Sequence, residues 1–522
     1  MLIGAGVVAA SMAAAPRASA SGITWPSARL GAANATTVES SQFLPLAQFQ
    51  QWGAQLDRLG LRATGSPTHE AYVRLLAQQL QSTGVSNVRL EAIPMRRWLA
   101  TNWSLKLGTT VLPAPAYVPY SGTTGPEGIS APTVYLGPDL RPENVLAMTG
   151  LKGKIVIYDV PVVPATIGVF EALAYPGAIY DPQHQLSPLT PYVRPWFNEM
   201  GAMLAALKAV GAIGSIGVLD LNQAWTKGQY FPYDGAFRNF PSLYVDRETG
   251  RTLKEAAGGS VKATLVLQAQ VADVLTHNVL GVIPGASSEM VMLHTHTDGS
   301  NGLEENGQLG IMGAAQYLAR LPRASLPRTV LVALVTGHFY NGLGSMNFLK
   351  RHATDLVPKI AATTTLEHLG AMEWLPDADG DLKPTGRHET AAFFSSGGVA
   401  PVSADRHLFA NSGAAPGVVA RPFAPNPFVV NLSDPTNVLS GVVGLLEGKY
   451  PPLMYPGEGT YLYSGGNLPN SNYITGPTYL LNAGISTVDK IDFNRMRSIS
   501  MALVRHTLEL GAAPKASIAL PD

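Results

Sequence analysis

Cysteine is absent from the 522 residues of this chain. Without thiols the protein forms no disulfides and offers no thiolate ligands, so a bound metal ion would need histidine, aspartate, glutamate or water as its ligands. Long apolar runs are also missing: after the N-terminus, no stretch reaches the ~20 apolar residues that a membrane-spanning helix requires. The sequence therefore predicts no membrane span.

Charge is scarce and balanced. Lysine and arginine number 36, aspartate and glutamate also number 36, and together they make up only 14% of the chain. A net charge of zero gives no electrostatic attraction to nucleic acid or to an anionic membrane, so we expect neither as a partner. The length is sufficient for two or three hydrophobic cores.

The N-terminus resembles an export signal. An apolar stretch at residues 2–15 is followed by an Ala-Ser-Ala pattern that ends at Ala20. This order is typical of a secretory signal peptide, although the usual basic start is missing. We expect residues 1–20 to be removed and the protein to be secreted, periplasmic or bound to the cell surface. The alternative is a mobile alanine-rich tail.

Strand and helix patterns divide the rest of the chain. Residues 45–101 and 272–522 alternate strand-like and helical segments, which predicts an α/β domain with a doubly wound mixed sheet and helices on both faces. The run RTVLVALV at 328–335 is typical of a central strand buried on both faces. Residues 102–271 carry short strand-like runs between glycine and proline turns, which predicts an inserted, mostly β domain. GPTYLLN at 476–482 is predicted as a late strand.

Polar side chains follow three of the predicted strands. Ligands of open α/β sheets bind at the carboxyl ends of the strands, so we expect these side chains to meet at one edge of the sheet. They are His296 and Asp298 after the first strand, His338 after the second, and Glu367 with His368 after the third.

Spacing within these segments suggests ligand roles. Residues two apart on an extended segment face the same way, so His296 and Asp298 can act as a metal ligand and the carboxylate that orients it. Glu304 and Glu305 precede a predicted helix, where they either bind a divalent cation or stabilise the positive end of the helix dipole. Glu458 lies in a glycine-rich turn, where it is either exposed to solvent or available as a further candidate for the general base.

Several motifs resemble the co-catalytic zinc exopeptidases, the aminopeptidases of the leucyl and aminopeptidase Y type. They are NVLGVIPGASSEMVMLHTHTD, TVLVALVTGHFYNGLGS and TTTLEHLG, preceded by RATGSPTHEAYVRLLAQQLQSTGV. The middle segment, with LKGKIVIYDVP, AALKAVGAIGSIGV and FPSLYVD, resembles the protease-associated domain that is often inserted in that family. The resemblance implies that His296 binds zinc with Asp298 behind it, that Glu305 bridges metals beside Glu304, and that Glu367 is a later ligand.

Two departures from the family pattern reduce the expected number of metal ions. The family carries a Glu-Glu pair before its GLLGS motif, whereas this chain has His338 and Phe339 there. The family's last histidine ligand is replaced by Ser486 and Thr487. We therefore expect one zinc ion rather than two. The expected ligands are His296, Glu305, His338 and Glu367. Glu304 is the favoured general base, ahead of Asp298, Glu458 and His368. Glu458 and His368 could instead form hydrogen bonds that orient the ligands.

The leading hypothesis is an exported metal-dependent hydrolase that uses metal-activated water on a peptide or a related amide bond. Two alternatives remain open: a binding protein that has lost hydrolysis, and single-zinc acyl chemistry such as cyclisation of an N-terminal glutamine. The chain has no G-x-S-x-G, H-E-x-x-H or P-loop motif, so the sequence does not support those other hydrolase chemistries.

Overall fold

The computed structural model describes residues 23–137, 140, 142–160, 166–190, 200–414, 416–422 and 457–520. The predicted signal peptide lies outside these residues. The described strands are β1 Ser86–Leu107, β2 Thr110–Leu112, β3 Ala116–Tyr117, β4 Ile129–Tyr135, β5 Ile155–Asp159, β6 Ala174–Tyr180, β7 Gly214–Val218, β8 Ser242–Val245, β9 Lys262–Ile283, β10 Ser287–His296, β11 Arg328–Val335, β12 Ile360–Leu366, β13 Met372–Pro376, β14 Leu382–His388, β15 Ala391–Ser395, β16 Gly417–Ala420 and β17 Asn470–Thr475.

Helices flank these strands and connect several of them. The α-helices are Ala33–Thr36, Leu46–Asp57, Pro67–Ser82, Pro142–Leu146, Ile167–Leu173, Met200–Ala209, Gln223–Thr226, Arg247–Ala256, Gly307–Leu318, Leu343–Arg351, Val399–Ser412, Thr460–Gly466, Phe493–Ala512 and Lys515–Ile518. Short 3-10 turns cover Ser40–Gln42, Arg323–Ser325, His338–Tyr340, Val357–Lys359 and Val488–Lys490. No helix in the described ranges combines the length and apolar character needed to cross a membrane.

A mixed sheet forms the centre of the α/β domain, and the predicted fold class is confirmed. Its middle runs in the order β9-β11-β10-β12-β17. The strands β11, β10, β12 and β17 are mutually parallel, whereas β9 pairs antiparallel to β11. Parallel strands end at the same edge of a sheet, so the residues that follow β10, β11 and β12 are brought close together.

Both faces of β11 are covered, as its apolar run predicts. Val332 and Leu334 belong to the same hydrophobic cluster as Ile311 of the Gly307–Leu318 helix. The alternate residue Ala333 belongs to a second cluster with Phe348 of the Leu343–Arg351 helix. Successive strand residues point to opposite faces, so these two clusters place helices on both sides of the sheet.

Two long strands connect the predicted inserted domain to the rest of the chain: β1 crosses its first border and β9 crosses its second. β1 and β9 each span 22 residues and pair antiparallel from Ser86↔Val282 to Leu107↔Ala263. β4 joins the same ladder through β9, and β5, β7 and β8 continue the sheet outward. The outer strands share a hydrophobic cluster of their own, which includes Ile157, Ile216 and Leu243.

The late strand predicted at 476–482 is wrong, because that segment forms turns. The strand lies immediately before it, at β17. Its residues are polar yet buried: Asn470 donates to Thr363 Oγ1, and Ser471 Oγ donates to Asp405 Oδ2 at 2.9 Å. The apolar pattern of GPTYLLN suggested a strand, but Pro477 has no N–H for a ladder.

Candidate metal centre

The carboxyl ends of β10, β11 and β12 bring several titratable side chains into one buried cluster. His296 is the last residue of β10, His338 follows the end of β11, and Glu367 directly follows β12. Glu304 comes from the turn before the Gly307–Leu318 helix. The residues His296 and Glu304 have no exposed surface, and Glu367 retains only 1%.

Three ligand atoms in this cluster lie close enough together to hold one metal ion. One ligand atom from each of His296, Glu304 and His368 lies within 4.8 Å of the other two. His296 Nε2, His368 Nε2 and both carboxylate oxygens of Glu304 are buried, and none forms a hydrogen bond within the described residues. Ligands of one tetrahedral zinc lie ~3–4 Å apart, so a small contraction would bring all three into coordination. Two imidazoles and a carboxylate suit zinc.

His368 reaches the cluster because the chain turns sharply after β12. Its backbone has a φ of 56°, in the left-handed region. Its Nδ1 lies 2.5 Å from the carbonyl oxygen of Thr475 and donates to it, which leaves Nε2 as the free ligand atom. The alternation expected from an extended strand would turn only one of Glu367 and His368 inward, but the strand ends at Leu366 and both side chains face the centre.

Glu367 is held in its charged form. Its Oε1 accepts from the backbone N–H of Glu458 at 2.8 Å and from Asn472 Nδ2 at 2.9 Å, while Oε2 lies 3.6 Å from His296 Nε2. Burial raises the pKa of Glu367, but the close approach and charge of His296 lower it to about 2. Gly457 packs against the same oxygen, where a Cβ would lie 2.7 Å away.

His338 is fixed by a second carboxylate. Its Nδ1 lies 2.8 Å from Glu458 Oε2, and the other oxygen of Glu458 accepts from Ser345 Oγ at 3.0 Å. The Nε2 atom faces Glu304 Oε1 at 3.1 Å, and the ring stacks on His296 at 4.1 Å between centroids. Burial lowers the pKa of His338, but Glu304 and Glu458 outweigh it and raise the pKa well above its usual value.

Asp298 orients its neighbours in two different ways. His296 Nδ1 donates to the backbone carbonyl of Asp298 at 2.8 Å, so the carboxylate itself is not the orienting group that the sequence suggested. The carboxylate accepts instead from Thr64 Oγ1 at 2.5 Å and from the backbone N–H groups of His338 and Phe339 at 3.1 and 2.9 Å. Asp298 therefore holds the His338–Tyr340 turn against β10.

Glu305, the expected bridging ligand, gives its Oε1 to Arg62, while its Oε2 is buried without a hydrogen bond in the described residues. The two side chains form an ion pair that is fully buried. The same guanidinium donates to the carbonyl oxygens of Asn301 at 2.7 Å and Leu56 at 3.2 Å. Gly299 permits the two adjacent glutamates to pack here, because a Cβ at that position would lie 1.5 Å from Glu305 Oε2.

The places where the family resemblance would put ligands of a second metal hold none. Phe339 offers a phenyl ring, which stacks on Tyr230 at 4.9 Å. Ser486 and Thr487 are bonded to Asp57: Ser486 Oγ donates to Oδ2 at 2.6 Å, and the Thr487 N–H donates to Oδ1 at 2.7 Å.

Sequence reasoning missed several residues that shape the centre. Asn472 lies in the unpredicted strand β17, and Thr64 and Ser345 are hydroxyls distant in the chain. Only long-range hydrogen bonds reveal them: Thr64 to Asp298 and Ser345 to Glu458. Tyr233, from the segment 102–271, lies with its ring 5.0 Å from that of His338. No local pattern marks any of the four.

Comparison with known proteins gives one curated relative and many similar structures. No protein-family model matches the chain. Carboxypeptidase Q of Rattus norvegicus is 22% identical over 320 residues, which are 59% of this chain and 62% of that protein. The match therefore spans less than two thirds of the relative's length.

Solved structures match over nearly the whole chain. The aminopeptidase from Aneurinibacillus sp. strain AM-1 superposes with a TM-score of 0.55 at 14% identity, covering 92% of this chain and 95% of that one. The zinc aminopeptidase BSAP from Bacillus subtilis gives 0.59 at 12%, covering 91% and 98%. A Peptidase M28 precursor from Shewanella amazonensis SB2B gives 0.59 at 15%, covering 91% and 97%. This chain has the zinc aminopeptidase fold.

Proposed function

We propose that this protein is a metal-dependent hydrolase of peptide or related amide bonds, with one zinc ion held by His296, Glu304 and His368. The observation that carries the proposal is the set of three buried ligand atoms, each without a hydrogen-bond partner in the described residues, at the sheet edge where α/β folds bind ligands. Glu367, whose Oε2 faces His296, would be either a fourth ligand or a carboxylate that orients His296.

The proposed roles differ from those assigned by sequence. Glu304, assigned there as the base, becomes a ligand because its Oε1 lies 3.9 Å from His296 Nε2 and both of its oxygens are buried without a hydrogen bond in the described residues. Glu305, assigned there as a ligand, becomes a structural partner of Arg62. His338 becomes the proton acceptor once zinc is held by Glu304, because the cation would offset the carboxylate charge that raises the pKa of His338 and would free Nε2 of its proton. The Glu458 hydrogen bond keeps Nδ1 as the protonated nitrogen and leaves Nε2 facing the centre.

Bound zinc would polarise the substrate carbonyl and lower the pKa of water. The side chains would supply the proton transfers. His338 Nε2 takes a proton from the attacking water as the oxygen bonds to the carbonyl carbon, while Glu458 stabilises the imidazolium. The same proton then passes to the leaving nitrogen as the C–N bond breaks, which restores the neutral imidazole.

The names of the similar proteins support a peptide with a free terminus as substrate. We further propose that residues 102–271 act as a protease-associated type of module beside the centre. Export with cleavage near Ala20 stays part of the proposal and rests on the N-terminal sequence alone.

Metal analysis tests the proposed function. The purified protein should contain about one equivalent of zinc and should cleave some member of a panel of aminoacyl anilides and dipeptides. A chelator should remove both metal and activity, and added zinc should restore them. Saturating zinc at about 100 times its Kd should also stabilise the fold by about 2.7 kcal/mol. Hydrolysis that survives complete removal of metal would refute the proposal.

Zinc binding should release protons at neutral pH. Burial and the charge of His338 favour neutral His296, but Glu304 and Glu367 outweigh them and raise the pKa of His296 to about 9 in the metal-free protein. The ring is therefore protonated at pH 7 and must lose its proton to bind zinc, so affinity should rise with pH up to about 9. Calorimetry in two buffers of different ionisation enthalpy measures this release. The same heat in both buffers at pH 7 would contradict it.

A further inference from the structure

Tyr233 reaches the proposed metal centre from the segment 102–271. The surrounding loop is anchored on both sides of this residue. Before it, the Tyr230 N–H donates to the carbonyl of Leu481 at 2.9 Å. After it, Gly235 packs on the ring of Tyr340 so closely that a Cβ would lie 2.7 Å from a ring carbon. The position of Tyr233 is thus set by contacts with loops that follow β11 and β17.

The ring of Tyr233 is the last in a series of three aromatic rings that contact one another. Its centroid lies 5.0 Å from that of His338, with an interplanar angle of 37°. His338 in turn stacks on His296 at 4.1 Å. A contact with Phe339, at 5.1 Å, holds the same ring from the side. The phenol ring therefore lies next to the proposed base, which is itself stacked on a proposed ligand.

The hydroxyl of Tyr233 has no hydrogen-bond partner within the described residues, and the residue is only partly buried. By contrast, the hydroxyl of the neighbouring Tyr461 donates to Asn341 Oδ1 at 3.2 Å. Burial raises the pKa of Tyr233 well above its usual value, and the charges of Glu304, Glu367 and Glu458 raise it further. The phenol stays protonated, so it can donate a hydrogen bond but cannot carry away a proton at neutral pH.

We propose that Tyr233 donates a hydrogen bond to the carbonyl oxygen of the scissile amide and that this bond strengthens as the oxygen becomes an oxyanion. The inference rests on the proposed function and deepens it: the segment 102–271 supplies a group that touches the reacting atoms. Carboxylates surround this position and would repel an oxyanion, so a neutral donor is the group that it needs. No bond to the phenol oxygen forms or breaks.

Substitution by phenylalanine separates the hydroxyl from the ring. Tyr233→Phe keeps the stacking on His338 and should lower kcat about 10²–10³-fold, with KM changed less than about threefold and zinc content unchanged. The matched control is Tyr135→Phe, which removes a hydroxyl from the same segment that donates to Asp159 Oδ2 at 2.5 Å. That variant should keep the kcat of the wild type.

Binding of an aminoalkyl boronic acid, a tetrahedral mimic, gives a readout that does not depend on turnover. Calorimetry should show weaker boronate binding to Tyr233→Phe by about 10²-fold and unchanged binding of the free amino acid product. Wild-type kcat and boronate affinity in Tyr233→Phe would overturn the inference and leave the proposed function standing. Equal losses for boronate and product would reassign Tyr233 to general substrate binding and also overturn it. A wild-type protein without metal-dependent hydrolysis would instead overturn the proposed function itself.

Discussion

Replacing His338 with glutamine should lower kcat about 10²–10⁴-fold while the protein keeps its zinc. Glutamine can still donate to Glu458 from its amide, but it cannot take a proton from water. His338 is the one imidazole of the cluster whose Nδ1 is bonded to a carboxylate, at 2.8 Å, and that arrangement is typical of a histidine that moves protons. Steady-state kinetics with metal analysis of the same preparation measures both quantities.

A histidine–carboxylate pair elsewhere in the chain supplies the control. His388 Nε2 lies 2.9 Å from Asp492 Oδ2, and His388→Gln should leave kcat unchanged. Glu458→Gln should cause a smaller loss than His338→Gln, about 10–100-fold, since it weakens only the support of the ring. Loss of zinc in His338→Gln would make this residue a ligand, as the sequence suggests, and full activity would exclude both roles.

The adjacent glutamates should give opposite results when each is changed to glutamine. Glu305→Gln leaves Arg62 buried without its counter-charge and should lower the free energy of unfolding by about 3–5 kcal/mol. Glu304→Gln should abolish zinc binding and hydrolysis and should destabilise the metal-free protein less than Glu305→Gln does, because His338, whose Nε2 lies 3.1 Å from Glu304 Oε1, can lose its proton whereas Arg62 cannot. Urea denaturation in the presence of chelator measures the first effect, and zinc titration measures the second.

Each variant serves as the matched control for the other, because the substitution is the same and the positions are consecutive. The two roles would be exchanged if Glu305→Gln lost zinc with its stability intact while Glu304→Gln kept its metal. That outcome would restore the ligand assignment made from the sequence. Weakened zinc binding in Glu305→Gln would be consistent with the proposal only if the measured loss of stability accompanied it.

Elements with strong local patterns were predictable. The Pro67–Ser82 helix begins where the sequence indicates, with the Ser66 side chain accepting from the His69 N–H. The apolar strand β11 is buried throughout. β17 was not predictable, because its Ser471 and Asn470 form hydrogen bonds with partners 66 and 107 positions away.

The approximate position of the candidate centre was also predictable, since strand ends in an α/β sheet meet at one edge. The roles within it were not. Two adjacent glutamates are equivalent in a sequence, and only the placement of Arg62, 243 positions before Glu305, separates them. His368 faces inward because of one left-handed backbone conformation, which strand periodicity does not anticipate.

The sequence by itself determined the α/β class, the absence of thiolate ligands, and which strand ends carry imidazoles and carboxylates. The tertiary structure alone decided how those groups are placed: it pairs Glu305 and not Glu304 with Arg62, and it puts His368 beside His296 and Tyr233 beside His338. The physical reason is that periodicity and composition act over a few residues, whereas the pairing of a buried polar atom depends on groups that only folding brings near.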